Sequence, residues 1–223
     1  MTTMVIVGAG RGLGAASARQ FGSDGFDVAL VARDQDRLDA LAAALDQDGV
    51  HAQGFAADVL DPDALGAALD AAASALGPIE VLQYSPAPHR DFMRPLLETT
   101  AADFAGPLRF SLCGAVTAVH AVLPDMRFLG RGTILFVGGG SAVRPLPARA
   151  GTSVAYAAQS AYARMLHDTL AGEDIHVAQL IVPGVIAAGH PRHDPAALAG
   201  VLWAMHRERT EFRHFAGVLV GEA

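Results

Sequence analysis

The sequence predicts a single α/β domain built around a doubly wound parallel sheet. Short runs of Val, Ile, Leu and Ala alternate with longer helical segments along the 223 residues. The runs are apolar without interruption, which is typical of strands covered by helices on both faces of a parallel sheet. No repeat, low-complexity tract or linker divides the chain, so we expect one domain over residues 1–223 with right-handed crossovers.

The strands follow from these apolar runs and from the turn residues beside them. The sixth run, His176–Val182, is halted by Pro183-Gly184, whose residues are typical of a turn. We expect strands at Met4–Val7, Asp27–Ala32, residues 51–58, Ile79–Tyr84, residues 132–140, His176–Val182 and, at the end of the chain, Gly217–Val220.

The helices are predicted from apolar residues that recur on one face and from capping residues. In the second helix Leu38, Leu41 and Leu45 share a face, and Asp34 is placed to cap the N-terminus. Proline in the first turn starts the third helix at Asp61-Pro62. The remaining helices are expected at about 12–21, about 101–127 with a bend near Pro107, 153–171 and 195–207.

Composition excludes several classes of partner. Hydrophobic residues make up 52% of the chain and charged residues 17%, so it has ample material for a two-sided core. The net charge is −7, and no run of basic residues favours nucleic acid or an anionic membrane. All 16 basic residues are arginine, and the chain contains no lysine.

Cysteine content and hydropathy indicate the cellular compartment in which the protein is expected to act. The single cysteine, Cys113, cannot form an internal disulfide and lies in an apolar helical stretch, so we expect it in the core rather than as a nucleophile. The N-terminus leads into a strand without the pattern of a signal peptide. No uninterrupted apolar run approaches the roughly 18–20 residues of a membrane span. We therefore expect a soluble, cytoplasmic protein.

A glycine-rich loop between the first strand and the first helix predicts a nucleotide site. Gly8 allows a tight exit from the strand, and Gly10 and Gly12 let the backbone approach a pyrophosphate. Gly14, after Leu13, lets the helix pack close to the sheet, while the helix N-terminus offers N–H donors to phosphates. The alternative is a tight turn without a ligand, but the position at the first strand–helix junction favours a Rossmann-type site.

The residues after the second strand indicate which nicotinamide cofactor would bind. An acidic residue there would bind the ribose 2′-hydroxyl of NAD(H), whereas arginine suits the 2′-phosphate of NADP(H). Ala32 stands where the acid is expected, and the guanidinium groups of Arg33 and Arg11 could pair with one phosphate. Asp34 is an alternative ribose ligand, but its position favours an N-cap. NADP(H) is therefore favoured over NAD(H).

With these motifs the chain resembles the short-chain dehydrogenase/reductase family over essentially its whole length. The loop VGAGRGLG is similar to that family's TGxxxGxG, with Val7 in place of threonine. Asp58-Val59 resembles the pair that contacts adenine, and LPDM at 123–126 resembles the end of the long fourth helix. Tyr156 is similar to the catalytic tyrosine, and Pro183-Gly184 to the turn beside the nicotinamide.

The resemblance departs from the family at the catalytic lysine and serine. The family's YxxxK reads Tyr156 to Ser160 here, and the nearest basic residue in that helix, Arg164, is two turns further on. An unperturbed tyrosine, with a pKa near 10, is a poor base at neutral pH without such a cation. Gly139 falls at the position of the family's serine, and Ser141 follows two residues later.

Two further parts of the catalytic pattern are altered. The family's helix-four asparagine is replaced by Ser111, and its NNAG after the fourth strand reads Tyr84-Ser85-Pro86-Ala87. As implied by the resemblance, Tyr156, Ser141 and Ser111 are the candidate catalytic residues. A lone helical tyrosine also occurs in cores and interfaces, so this alternative stays open.

Polar residues outside this pattern offer two further places for chemistry. His89 and Arg90 follow the fourth strand, at the carboxyl edge where such sheets bind ligands. His190, Arg192, His193 and Asp194 lie in the segment 185–194, which resembles the family's substrate lid. Two histidines three apart without a further ligand are more typical of a solvated loop than of a metal site. No role is predicted for His206 and His214.

The sequence therefore favours an NADP(H)-binding oxidoreductase that transfers a hydride between nicotinamide and a carbonyl-type small molecule. A non-catalytic NADP(H) sensor is the alternative, because the catalytic pattern is incomplete. A partner subunit without nucleotide is a third interpretation, disfavoured by the glycine loop. The resemblance also implies a homodimer or homotetramer, formed by the long fourth helix and the tyrosine-bearing helix.

Overall fold

A computed structural model describes residues 2–218 and contains seven parallel strands in the order β3-β2-β1-β4-β5-β6-β7. The predicted α/β class and doubly wound parallel sheet are confirmed. The strands are β1 (Thr3–Val7), β2 (Asp27–Ala32), β3 (Ala52–Ala56), β4 (Ile79–Tyr84), β5 (Gly132–Gly139), β6 (Ile175–Val182) and β7 (Arg213–Phe215).

Seven α-helices connect these strands and cover both faces of the sheet. They are α1 (Leu13–Ser23), α2 (Gln35–Gln47), α3 (Pro62–Leu76), α4 (Ala105–Leu108), α5 (Gly114–Leu129), α6 (Ala150–Leu170) and α7 (Pro195–Glu208). Apolar side chains of α1, α2 and α7 form one buried cluster with alternate strand residues. Those of α3, α5 and α6 form the cluster on the opposite face. This two-sided core explains why the strands are apolar throughout.

The predicted caps of α2 and α3 are present. The Asp34 carboxylate accepts a hydrogen bond from the Arg37 amide at 3.1 Å, and Asp61 accepts one from the Ala64 amide at 3.0 Å. Each cap satisfies an N–H group that has no partner within the helix. The two caps therefore fix where α2 and α3 begin.

The long fourth helix is more irregular than predicted. A π-helical turn, Arg109–Cys113, separates α4 from α5, so the irregularity follows the bend expected near Pro107. Cys113 is exposed at the end of this turn, so its predicted place in the core is wrong. The wider turn rotates the chain, and the neighbouring Ser111 and Gly114 face inward instead.

The helical stretch 102–129 is long and apolar enough, by length and composition, to cross a membrane, contrary to our expectation from the sequence. Its inward face is completely buried on the sheet through Ala118, Val119, Val122 and Met126. Packing on the sheet accounts for the apolar residues on this inward face.

The last strand lies earlier than predicted. β7 covers Arg213–Phe215 and pairs with β6 through Gln179, Leu180 and Ile181. Gly217 and Val218 are not in a strand, and the rest of the predicted strand, Leu219 and Val220, lies outside the described residues. The apolar run at 217–220 did not mark the position of β7, because a polar contact, described below, holds this edge of the sheet.

Candidate active site

A cavity of about 700 Å³ opens at the carboxyl edge of the sheet. It lies where the strand order reverses between β1 and β4, the place where open α/β sheets bind ligands. The glycine loop, the segment after β4, the segment after β5, α6 and the turn after β6 all contribute to its walls. Among its lining residues are Gly8, Gly10, Gly12, Leu13, Gly14, Ser141, Tyr156, Pro183 and Gly184.

Two of the loop glycines are required by the fold itself. Gly8 has φ +91°, and a Cβ there would lie 2.5 Å from the Cα of Pro86. A Cβ at Gly14 would lie 3.1 Å from the Cα of Ala9, so the start of α1 is packed tightly on the loop. Glycine at these positions allows the chain to turn sharply under the cavity.

The other two loop glycines keep cavity space free. A Cβ at Gly10 or Gly12 would meet no protein atom within 4 Å, and both residues line the cavity. Gly12 caps α1 without a side-chain hydrogen bond, and the first turn of α1 holds no acidic residue. An open backbone at the positive end of a helix has the properties of a phosphate cradle.

The arginines predicted to read the cofactor lie apart from this cavity. Arg11 lines a neighbouring hollow with Arg19, Asp48 and Asp194, and Arg33 is exposed beyond β2. Neither is among the residues that line the central cavity. The structure therefore does not bring the two guanidinium groups together there.

Asp34 and Asp58 both serve the local backbone. The Asp34 carboxylate caps α2 with one oxygen, and its other oxygen lies 3.0 Å from Nε of Arg37. Asp58, beyond β3, accepts a hydrogen bond from the Leu60 amide at 3.0 Å, and Val59 is buried beside it. Neither Asp58 nor Val59 lines the central cavity.

Tyr156 projects from α6 into the cavity wall. Its side chain is 8% exposed, and burial raises its pKa to about 12. Cε2 of this ring lies 3.6 Å from the position that a Cβ at Gly139 would take. The tyrosine and the end of β5 are therefore adjacent, as the resemblance implied.

Ser141 reaches toward the place left open by Gly139. A short 3₁₀ turn, Gly140–Ala142, follows β5 and folds the chain back. This turn brings the Ser141 hydroxyl oxygen within 4.0 Å of the position of a Cβ at residue 139. A hydroxyl two residues later in the chain thus lies beside Tyr156.

Ser111 lies beneath the cavity rather than in its wall. It is buried in the π-helical turn, and its backbone carbonyl accepts a hydrogen bond from Nε2 of Gln159 at 2.7 Å. The preceding carbonyl, of Phe110, accepts one from the Tyr84 hydroxyl at 2.6 Å. Side chains from α6 and β4 thus satisfy carbonyl groups that the π-helical turn leaves free.

The position of the family's lysine is filled by a polar network. The Ser160 hydroxyl donates to Oε1 of Gln179 at 2.9 Å and accepts from Nη2 of Arg213 at 2.6 Å. Nε of Arg213 also donates to the same Gln179 oxygen, at 2.9 Å. An arginine from β7 therefore bonds to Ser160, the residue one helical turn after Tyr156 in α6. Arg164, the nearest basic residue in the sequence, is exposed and covers the ring of Phe212.

The turn after β6 closes the cavity from another side. Gly184 has φ +146°, and a Cβ there would lie 3.1 Å from the His193 ring. His193 is buried, stacks on His190 at 4.4 Å and shares a 2.8 Å hydrogen bond with the carbonyl of Ala216. The expectation of a solvated loop is wrong for His193, because its ring anchors this turn.

The remaining polar candidates do not form a metal centre. Within residues 2–218, no group of three or more His, Cys, Asp and Glu side chains is arranged to hold a metal ion. Asp194 caps α7 through the Ala196 amide, and His89 and Arg90 are exposed. His206 is buried and hydrogen-bonds to Thr133 at 2.9 Å.

Sequence reasoning missed one group of cavity residues. The segment between β5 and α6 contributes Arg144, Leu146 and Arg149, and α6 contributes Thr152. These residues follow the carboxyl end of a strand, where ligand contacts are expected in parallel sheets. The sequence signal that could have indicated this part of the site is the presence of two arginines within six residues of one another in this segment.

Comparison with known proteins identifies the family of this chain. Residues 2–196 match the family described as short chain dehydrogenase. D-threitol dehydrogenase from Mycolicibacterium smegmatis is 35% identical over 132 residues, which are 59% of this chain and 50% of that protein. The matched part thus spans about half the length of this curated relative.

Solved structures share the fold over nearly the whole chain. A short-chain dehydrogenase from Rhodopseudomonas palustris is 26% identical, with a TM-score of 0.85 over 96% of this chain and 97% of that one. An NADPH-bound short chain oxidoreductase from Pseudomonas aeruginosa PAO1, described as containing an atypical catalytic center, is 22% identical. Its TM-score is 0.87 over 100% of this chain and 97% of that one. The chain belongs to the short-chain dehydrogenase family.

Proposed function

We propose that the protein is an NADP(H)-dependent oxidoreductase that reduces a carbonyl-type small molecule. The observation that carries this proposal is that the glycine loop, the Pro183-Gly184 turn, Ser141 and Tyr156 line one cavity. A phosphate cradle and a proton donor in one cavity are what hydride transfer to a carbonyl needs from a protein.

The cofactor-binding residues fit a dinucleotide. The open backbone at Gly10, Gly12 and Leu13 would receive the pyrophosphate, while Gly8 and Gly14 shape the turn beneath it. Asp58 and Val59, which follow β3, would meet the adenine, and the Pro183-Gly184 turn would flank the nicotinamide. The bound cofactor would supply the hydride.

The preference for NADP(H) rests on the end of β2. Both carboxylate oxygens of Asp34 are engaged by Arg37, which leaves them poorly placed for a ribose hydroxyl. Arg33 is exposed next to Asp34, where a 2′-phosphate could pair with its guanidinium group. The solved oxidoreductase with an atypical catalytic center binds NADPH.

Tyr156 is suited to donate a proton rather than to accept one. With a pKa of about 12, it carries its proton at neutral pH. It would give this proton to the carbonyl oxygen while the hydride reaches the carbonyl carbon, and the phenolate would regain a proton from solvent through the open cavity. The Ser141 hydroxyl would orient the same oxygen. Ser111 is omitted from this group because it lies outside the cavity.

A titration with NADPH and NADH tests the cofactor half of the proposal. We expect Gly10→Ala to weaken NADPH binding at least about tenfold, because the added methyl group enters space reserved for phosphate. The matched control is Gly66→Ala on α3, where a Cβ also meets no protein atom within 4 Å. Arg33→Ala should reduce the preference for NADPH over NADH. Equal NADPH affinity in the Gly10→Ala and wild-type proteins would contradict the cradle.

Turnover distinguishes an enzyme from a sensor. NADPH oxidation that depends on a ketone and is lost in Tyr156→Phe, with cofactor affinity unchanged, would establish the enzyme. Tight NADPH binding without turnover of any ketone or imine in a broad screen would favour the sensor. The observation that favours testing for a sensor is that Ser160 stands where the family has its catalytic lysine.

We further propose that the protein acts in the cytoplasm as a homodimer or homotetramer. Val154 and Met165 are exposed on α6, and Phe128 is 83% exposed at the end of α5. Apolar side chains on the outer faces of these two helices suit packing against a second copy. A monomeric mass by light scattering at micromolar concentration would contradict the oligomer.

A further inference from the structure

The central cavity has an apolar side that the cofactor proposal does not use. Pro88 and Met93 line it from the segment after β4, Leu146 from the segment after β5 and Val185 from the segment after β6. We call these four residues the apolar wall. Each follows the carboxyl end of a strand, where open α/β sheets bind ligands. The wall and Tyr156 line one cavity, so the wall is available to the rest of a substrate held at Tyr156.

Two side chains of the apolar wall are left open to water. Leu146 is 43% exposed and Val185 is 75% exposed, and both line the cavity beside Met93. A single exposed apolar side chain needs no explanation, but several that line one cavity are typical of a ligand site. Their removal from water would be favourable, so an apolar ligand suits this side of the cavity.

Helix α6 holds the backbone on both sides of Met93. The Thr152 hydroxyl donates to the carbonyl of Phe92 at 3.3 Å, and the Ala150 amide donates to the carbonyl of Arg94 at 2.9 Å. These two bonds fix the neighbours of Met93 against the first turn of the helix. The wall is thus positioned before a ligand arrives, which lowers the entropic cost of binding.

The same helix holds Leu146. The Ser153 hydroxyl accepts a hydrogen bond from the Leu146 amide at 3.0 Å and lies 3.2 Å from its carbonyl oxygen, to which it can donate. Ser153 is buried, and Tyr156 lies three residues further along α6. One rigid element therefore carries the proton donor and anchors two members of the apolar wall.

The polar side chains around this cavity offer little to a hydroxylated ligand. None of the lining residues that the structure describes is Asp, Glu, Asn, Gln or His. The Ser85 hydroxyl accepts from Nε2 of Gln83 at 2.9 Å, and the Thr152 hydroxyl is bonded to the backbone. Arg144 and Arg149 are exposed to solvent, and Arg144 already takes part in an interaction. Because polar groups buried without a hydrogen bond are costly, a polyhydroxylated substrate is disfavoured.

Resting on the proposed function, we infer that the apolar wall binds the hydrocarbon body of the substrate while Tyr156 meets its carbonyl. The substrate class is thus a ketone or aldehyde with an uncharged apolar chain or ring. Leu146 and Val185 determine specificity, because they bury the methylene groups that lie beyond the carbonyl.

A series of methyl ketones tests this inference. Binding of 2-butanone, 2-hexanone and 2-octanone is measured by calorimetry on protein saturated with NADP⁺, so that no reduction occurs. One methylene group strengthens binding about fourfold when fully buried and about twofold when half-buried. We therefore expect each added pair of methylene groups to tighten binding about fourfold to fifteenfold.

A polar probe of equal size separates apolar contact from mere size. In 5-hydroxy-2-pentanone a terminal hydroxyl replaces the last methyl group of 2-hexanone. We expect this probe to bind about tenfold more weakly than 2-hexanone, because the wall offers its hydroxyl no partner.

Variants locate the effect on the wall. Leu146→Ser and Val185→Ser should each weaken binding of 2-octanone about threefold to tenfold, with little change for 2-butanone or NADPH. Both side chains are exposed, so the fold should be retained, which thermal unfolding checks. Leu97→Ser is the matched control, because Leu97 is 98% exposed and is not among the residues that line the cavity. This control should bind every probe like the wild type.

Four results would overturn the inference. They are an affinity that does not rise with chain length, binding of 5-hydroxy-2-pentanone as tight as that of 2-hexanone, equal losses in Leu97→Ser and Leu146→Ser, and loss of NADPH affinity in the wall variants. The last result would assign the wall to the cofactor. Failure of the wild-type protein to bind NADP⁺ or NADPH would instead refute the proposed function, so the two failures are distinguishable.

Discussion

The protonation of Tyr156 gives the sharpest prediction about catalysis. Burial raises its pKa from the ordinary value of 10 to about 12. At pH 7 only roughly one molecule in 10⁵ then carries the phenolate, against roughly one in 10³ for an unperturbed tyrosine. Reduction uses the abundant phenol, whereas oxidation of an alcohol needs the rare phenolate. We therefore expect reduction rates to be flat from about pH 6 to 9, and oxidation rates to rise about tenfold per pH unit.

Initial rates in both directions, measured with one ketone and its alcohol, check this expectation. Tyr156→Phe should lower the reduction rate by about 10²–10⁴-fold, because it removes the proton donor while keeping the ring. A plateau in the oxidation rate between about pH 7 and 8 would refute the reasoning. It would mean that a nearby charge stabilises the phenolate despite the burial.

The same pKa has a consequence for stability that needs no substrate. The pKa of Tyr156 is about 12 in the folded protein and about 10 in the unfolded chain, so the neutral phenol stabilises the fold below about pH 10. This contribution to stability is lost as the pH rises from 10 to about 12. Two pKa units correspond to about 3 kcal/mol. Tyrosinate absorbance should show less than about 2% ionisation of Tyr156 at pH 10, isolated by subtracting the Tyr156→Phe titration.

Three further predictions concern the scaffold. Arg213→Met should lower the free energy of unfolding in urea by about 1–3 kcal/mol, because it removes two charge-assisted hydrogen bonds to the buried oxygens of Ser160 and Gln179. Arg213→Lys should restore part of the loss. Burial lowers the pKa of His176 and of His206 to about 4, so the fold should lose stability as the pH falls from 6.5 to about 4. In urea titrations over this pH range, His206→Gln should lose less stability than the wild type. Gly8→Ala should cost about 1–3 kcal/mol by thermal unfolding, and Gly10→Ala should cost less.

The parts of the fold that depend on local pattern could be predicted from the sequence. β2 and β4 have the predicted bounds, Asp27–Ala32 and Ile79–Tyr84, because continuous apolar runs bounded by turn residues leave little choice of register. The cap at Asp34 was predicted for a similar reason, since a short acidic side chain directly before a helix bonds its own backbone. The position of Tyr156 in the cavity was implied by the resemblance to the family and not by local pattern.

The features that the sequence could not show depend on distant partners. The π-helical turn at Arg109–Cys113 is matched by hydrogen bonds from Gln159 and Tyr84, which lie 48 and 26 residues from their acceptors. An apolar helical pattern is compatible with either a regular or a widened turn, so the pattern misplaced Cys113. Likewise, the last strand lies where Arg213 meets Gln179, and no hydrophobic run marks that polar contact.

The network at Ser160 links the edge of the sheet to the chemistry of the cavity. A lysine at position 160 would compete with Arg213 for the same Gln179 oxygen, because the Ser160 hydroxyl and the guanidinium group both bond to it. The shorter serine leaves room for the arginine, and the arginine joins β7 to β6 and to α6. The guanidinium group is thereby held in the scaffold by two hydrogen bonds, to Gln179 and to Ser160. Burial is the cause of the raised pKa of Tyr156, so under the proposed function we expect this arrangement to favour reduction over oxidation.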